Sequence, residues 1–222
     1  MKLEACCRSE IGTREKNEDY AAKKVGVFTG AFVVCDGVGG SPAGEIASRG
    51  AAETLLKCWG KSPSLSVDSI ATAFEETNRV MREIGREDRE VCGMRTTAAA
   101  LFYRFGYVRS AHVGDSRVYL FRKGRVYRKT KDHIGPRAEL LRALGGEDQY
   151  LPELSEKIRV RRGDAFLICS DGFWEWVSDA EMESALNCAK SPEDWVEKLL
   201  AIHNAKKGEV CDNYTVFTGF FR

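Results

Sequence analysis

The chain has 222 residues, enough for one domain of ordinary to large size, and its 43% hydrophobic content can fill the core of such a domain. Its 34 basic residues balance 33 acidic ones, which argues against recognition of nucleic acid or a membrane surface by bulk charge. The opening MKLEACCRSE has no apolar signal core, and no apolar run approaches the about 20 residues of a membrane span, so a cytoplasmic protein without nucleic-acid or membrane partners is expected.

In chain order, "REKNEDY" places Glu18 and Asp19 just before a strand. "GAFVVCDG" reads as a short apolar strand ending at Asp36, and Pro42 suits the first turn of a helix running to about Cys58. After the loop "KSPSLS", Ile70, Ala73, Phe74, Thr77, Val80, Met81 and Ile84 recur at helical spacing. From Thr96 to Thr130 the texture becomes β-branched and aromatic. Turn signals at Phe105-Gly106, Gly114-Asp115 and Lys123-Gly124 predict an antiparallel meander. "PRAELLRALGG" reads as a short helix closed by glycine, and "EKIRVRRGDAFLICSDG" as a hairpin turning at Arg162-Gly163-Asp164. Helical patterns fill "SDAEMESALNCA" and "SPEDWVEKLLAIHNAKKG", and "DNYTVFTGFF" is a last strand. Grouped strands and grouped helices make this an α+β chain of stacked antiparallel sheets with helices outside. The eight cysteines form no CxxC pair, and Cys35 and Cys169 lie in apolar runs, so buried thiols are expected rather than a disulfide or zinc framework.

Several carboxylates share one kind of position. Asp36 and Asp171 each follow an apolar run and precede glycine. Asp212 opens the last strand, Glu18 and Asp19 precede another, and Asp115 lies between two. A carboxylate at a strand end is held by rigid backbone yet reaches a cleft, and the glycine after it lets a backbone carbonyl approach a ligand. Carboxylates brought together need a positive neutraliser, and hard divalent cations such as Mg²⁺ and Mn²⁺ suit an all-oxygen donor set. No Gly-rich loop followed by Lys and Ser or Thr is present, which disfavours a P-loop nucleotide site.

The segments "REKNEDY", "VVCDGVGGSPAGEIAS", "TTAAALF", "AHVGDSRVYLFRKGRV", "TKDH", "GDAFLICSDGFWE" and "DNYTV" occur in the order seen in the metal-dependent protein phosphatase family, the protein phosphatase 2C type. Together they run from Arg14 to Val216, and the sequence resembles a compact bacterial-type member. The resemblance implies one catalytic domain over residues 1–222: a sandwich of two antiparallel β-sheets flanked by helices on both outer faces. It implies two Mn²⁺ or Mg²⁺ ions and hydrolysis of phosphoserine and phosphothreonine in proteins by water activated between them, opposing a serine/threonine kinase. A monomer is expected. Carried over residue by residue, Asp36 bridges both metals and Gly37 gives its carbonyl to one. Asp171 and Asp212 complete the other shell, and Glu18 and Asp19 match the acidic pair beside the metals. Arg14 matches the phosphate clamp, and Asp115 the aspartate of a third, weaker metal.

The chain also departs from the family pattern. Val38 stands where some relatives carry a histidine proposed as general acid, so a metal-bound water or a nearby acid has to protonate the leaving oxygen. His133 is weighed for that task against a structural role for the Asp132-His133 pair. His112 and His203 read as structural or surface residues, and "FWEW" as packing. Cys211 lies beside Asp212, which raises a redox effect on that site. The connection from His133 to "RALGG" is shorter than the flap of bacterial relatives, which bears on substrate selection. A non-catalytic binding module on the same fold and a small-molecule phosphatase are the rival readings.

Overall fold

The structure is a computed structural model describing residues 2–137, 139–146 and 150–222. In chain order the elements are β1 (Leu3–Glu10), β2 (Asp19–Val25), β3 (Thr29–Asp36), α1 (Gly44–Lys61), α2 (Val67–Glu87), β4 (Ala98–Arg104), β5 (Tyr107–Val113), β6 (Arg117–Arg122), β7 (Arg125–Lys129), β8 (Glu153–Leu154), β9 (Ile158–Arg159), β10 (Ala165–Cys169), α3 (Asp171–Trp174), α4 (Asp179–Cys188), α5 (Pro192–Lys206) and β11 (Tyr214–Phe221). One sheet has the order β1-β11-β10-β6-β7, the other β2-β3-β4-β5-β8 with β9 also on β5, and every strand pair within the two is antiparallel.

Three apolar layers hold the fold together. Between the sheets lie Phe32, Val34, Leu101, Phe166, Ile168 and Phe217. On the outer face of one sheet, Ala31, Val33 and Cys35 pack with Ala51, Leu55 and Phe74 of α1 and α2. On the outer face of the other, Ala165, Leu167 and Cys169 pack with Met182, Trp195 and Leu199 of α4 and α5. β3 and β10 are therefore buried on both faces, which is why they are unbroken apolar runs instead of alternating ones. The expected two-sheet sandwich with helices on both outer faces is the observed architecture.

Local departures have physical reasons. α1 starts at Gly44 rather than Pro42, because Ala43 takes a left-handed conformation (φ 52°) as the helix N-cap. The series of strands from Thr96 is divided: β4 and β5 form a hairpin in one sheet, β6 and β7 in the other, so the chain crosses between sheets at Gly114–Ser116. "EKIRVRRGDAFLIC" is likewise no hairpin. The turn at Arg162-Gly163 exists, but β9 pairs with β5 and β10 with β6 and β11 in the opposite sheet. "PRAELLRALGG" forms no helix among the described residues; Ala138 lies outside them. Its periodic leucines serve two bridges, Ile134 with Leu140 and Leu144 with Thr96, and Gly145 (φ 89°) gives its N–H to Asn78 Oδ1 at 2.7 Å. β1 and the one-turn α3 have no counterpart in the sequence reading.

All the crossings that matter are at one end of the sandwich. β3 ends there, β4 begins there, β5 passes to β6, β10 ends, and β2 and β11 begin.

Candidate metal centre

Backbone ties fix each acidic residue at this end. The Asp36 N–H donates to Thr97 Oγ1 at 3.0 Å, and its carbonyl accepts from Thr96 Oγ1 at 2.7 Å and the Thr97 N–H at 2.8 Å. Both backbone polar groups of Asp36 are thereby satisfied by the start of β4, leaving the carboxyl for the cleft. Gly37 passes so close to α1 that a Cβ would come within 2.6 Å of the Gly44 backbone, so only glycine allows this approach.

Asp171 opens α3 and accepts the Gly172 N–H at 2.6 Å. Trp174, at the end of the same turn, donates its indole N–H to the Asp115 carbonyl at 3.0 Å. The Arg117 guanidinium lies 3.4 Å over the Trp174 ring and grips Asp132 with bonds of 2.9 and 2.6 Å. The loop before β2 is stapled to the loop before β11 by Asn213. Its side chain donates to the carbonyls of Ile11 (2.7 Å) and Lys16 (2.9 Å) and accepts the Glu18 N–H (2.8 Å). Arg14, on the stapled loop, lays its guanidinium fork on Asp212 at 2.9 and 2.7 Å.

The result is one cavity of about 490 Å³ lined by Arg14, Glu18, Asp36, Gly37, Asp115, Asp171 and Asp212. Of the expected site residues, Asp19 alone stands behind this wall. It is paired with Asp36 across β2 and β3, buried, and accepts the Ser170 hydroxyl at 2.7 Å. His133 does not reach the cavity. Its Nδ1 accepts the Gly114 N–H at 3.1 Å and its ring stacks on His112 at 4.3 Å, so the pair has a structural role beneath the Asp115 turn. His203 is fully buried between Phe173 and Tyr214 and contacts the Gly172 carbonyl at 2.9 Å. Leu140, from the connection after His133, reaches the cavity wall. Asn213, Ser170, Thr96, Thr97 and Trp174 carry the positioning; of these the sequence marks only Trp174, as packing within "FWEW".

Electrostatics make the cluster uncomfortable without cations. Burial, then the charges of Asp19 and Asp171, pushes the Asp36 carboxyl well above the ordinary carboxylate range, and it shares a hydrogen bond with Asp171. Burial pushes Asp19 up to about 7 against the help of Ser170, and Asp115 up to about 7 with Asp171 adding to it. Asp19 Oδ1 is buried with no hydrogen-bond partner. Among the described residues no three His, Cys, Asp or Glu side chains converge as a closed metal-ligand group; the carboxylates line the cavity instead. An oxygen-only donor set, an orphaned carboxylate oxygen and raised acids fit hard divalent cations that keep part of their hydration.

This arrangement sets a pH dependence. Asp19 and Asp115 have folded-state pKa values of about 7 against 3.8 unfolded, so between those values the folded chain holds more protons. Stability of the metal-free protein therefore falls as pH rises through that window. Each group withdraws at most about 4 kcal/mol. Scanning calorimetry of chelator-treated protein is expected to show a higher Tm at pH 5 than at pH 8, with Mn²⁺ raising Tm more at pH 8. A flat profile would remove the strained acid cluster.

The model of the protein phosphatase 2C family matches residues 6–209. The serine/threonine phosphatase stp of Listeria innocua is 31% identical over 91% of this chain and 89% of its own length. The serine/threonine protein phosphatase PstP of Mycobacterium tuberculosis is 30% identical over 97% of this chain and 44% of its own. The solved catalytic domain of PstP in complex with two manganese ions superposes with a TM-score of 0.83 at 28% identity, covering 98% of this chain and 97% of that one. With the family match spanning residues 6–209 and a relative 31% identical over 91% of the chain, the chain belongs to the protein phosphatase 2C family.

Proposed function

We propose that the chain is a metal-dependent protein serine/threonine phosphatase, one catalytic unit that hydrolyses phosphoserine and phosphothreonine monoesters. The observation that carries this reading is the convergence of Glu18, Asp36, Asp115, Asp171 and Asp212, from separate segments, on one cavity that also holds the Arg14 guanidinium. The relatives named as serine/threonine phosphatases support the substrate class.

Asp36 would be shared by two Mn²⁺ or Mg²⁺ ions, with the Gly37 carbonyl offered to one and Asp171 and Asp212 to the other. Glu18 and Asp19 would complete the surroundings, and Asp115 would serve a third, weaker ion. Such ions supply Lewis acidity toward water and phosphoryl oxygens near neutral pH. The chain's own groups do the rest. No Cys, Ser or His is among the cavity's described lining residues, and its one hydroxyl, Thr97 Oγ1, is engaged by the Asp36 N–H and by Ser116 Oγ at 2.7 Å. With the carboxylates given to the ions, water is the nucleophile in this reading, with no phosphorylated side chain. The Arg14 fork that fits two oxygens of Asp212 fits two oxygens of a phosphoryl group equally well and orients it beside the acids.

Arg14→Ala is expected to raise KM for a phosphopeptide by about tenfold with a smaller change in kcat, because the fork binds ground and transition states alike. Steady-state kinetics returning wild-type values would take Arg14 out of the site. The reading as a whole is tested with phosphoserine, phosphothreonine and phosphotyrosine peptides, small phosphomonoesters and an aryl phosphate, with Mn²⁺ or chelator. Metal-dependent turnover of the phosphoserine and phosphothreonine peptides supports it. Preference for small phosphomonoesters assigns the cavity to a small-molecule phosphatase, and no turnover of anything to a binding module. Among the described residues no helix is long and apolar enough to cross a membrane. The same reading takes the protein as a cytoplasmic monomer opposing a serine/threonine kinase.

A further inference from the structure

Far from the acids, at the other end of β4 and β5, lies a cleft of opposite character. It has a volume of about 290 Å³, and Arg104, Arg109, Lys157, Ser64, Ser66 and Phe105 are among its walls. No acidic residue is among its described lining residues. Arg109 shares the helix-facing side of β5 with Ala111 and Val113, which pack against the α1 and α2 layer. Its Nε and Nη1 are buried and have no hydrogen-bond partner. The Arg104 guanidinium rests 4.9 Å over the Phe105 ring and the Lys157 ammonium 4.9 Å over the Tyr107 ring. Arg49, Arg79, Arg117 and Arg122 sit on carboxylates, whereas Arg95 Nε is a second buried guanidinium nitrogen without a hydrogen-bond partner.

Ser66 is the N-cap of α2, a helix of 21 residues, and its Oγ accepts the Ser69 N–H at 3.2 Å, so the capped positive end of that helix, with Asp68 in its first turn, lies beside the cations. A partly buried guanidinium without an anion is costly, and an oxyanion with several acceptor oxygens satisfies guanidinium, ammonium, hydroxyl and helix N–H groups together. We propose that this cleft is a second, non-catalytic phosphoryl site that binds a phosphate or phosphomonoester dianion.

β5 spans seven residues between the two ends, about 20 Å. One phosphate cannot occupy both sites, and an extended peptide needs at least about six residues to bridge them. The cleft therefore suits either a second phosphorylated residue of a substrate or free phosphate. The inference does not rest on the catalytic reading, because binding can be measured without metal or turnover.

The test is titration of chelator-treated, ¹⁵N-labelled protein with inorganic phosphate and with a phosphoserine peptide, read at the Ser64, Leu65 and Ser66 amides. Saturable shifts at those amides are expected. Arg109→Gln should weaken them by about tenfold, the loss of one charge-assisted contact. Because Arg109 is partly buried, the Arg104→Ala/Lys157→Ala double variant supplies an independent check with the same expected direction. Asp36→Asn should bind like the wild type. Tighter binding of the peptide than of phosphate identifies a polypeptide as the source of the anion; equal binding identifies free phosphate. Absence of saturable shifts at these amides, shifts confined to the acidic cavity, or wild-type affinity in both variants would overturn the site.

Discussion

Replacing Asp36 with asparagine is expected to lower kcat at least about a hundredfold, roughly 2.7 kcal/mol at 1.36 kcal/mol per tenfold, with the metal-free fold intact. The two halves of this result have separate causes. In the metal-free chain, burial and the neighbouring charges of Asp19 and Asp171 push Asp36 well above the usual carboxylate range, so the charged form is disfavoured there. Asparagine has nearly the shape of the carboxyl and lacks the charge that these surroundings disfavour. The ties that hold the residue are backbone ties to Thr96 and Thr97, which the substitution leaves in place. Tm without metal should therefore match or exceed the wild-type value. What is lost is the negative charge proposed to be shared by two cations, so the rise in Tm on adding Mn²⁺ should shrink together with kcat. Calorimetric titration with Mn²⁺ beside steady-state kinetics separates the cases. Two tight sites with normal turnover in Asp36→Asn would refute the role proposed for Asp36, whereas a metal-free protein that unfolds would show that the charge is needed for folding.

The acidic end was legible because its side chains are announced locally. Asp36 and Asp171 end strands buried on both faces, and such strands are unbroken apolar runs followed by glycine. The same feature made β3 and β10 easy to read. β1 escaped because it is an edge strand with six half-buried residues and a polar composition, so neither a continuous run nor a clean alternation marks it. The division of the strand series at Gly114 and the separation of β9 from β10 escaped for another reason. Local turn chemistry marks where the chain bends, not which sheet receives the next strand. "PRAELLRALGG" misled because Leu140 and Leu144 recur at helical spacing, while hydrogen bonds with Thr96 and to Asn78 Oδ1, remote in sequence, decide the backbone. Asn213 is hidden in the same way: its three partners lie some 200 residues away, at 202, 197 and 195 positions.

Asp171→Asn and Asp115→Asn should part company. Asp171 contacts Asp36 directly, is half-buried beside it, and holds the first turn of α3 through the Gly172 N–H. Its loss should cost about a hundredfold in kcat, as for Asp36, and should weaken the paired metal site. Asp115 comes from the crossing between β5 and β6, and its link to α3 is the Trp174 indole on its backbone carbonyl. Asparagine keeps that carbonyl, so the tie to α3 survives and the two tight ions should still bind. The defect expected of Asp115→Asn is chemical and selective. A seryl alkoxide needs a proton to depart, whereas a nitrophenolate does not. Removing the acid or third ion at Asp115 should slow phosphopeptide hydrolysis about a hundredfold, the lower end of the usual general acid assistance, and aryl phosphate hydrolysis far less. Equal loss on both substrates would make Asp115 a part of the paired site. Loss of tight Mn²⁺ binding in Asp115→Asn would show that the acids form one indivisible cluster and that no separate third site exists.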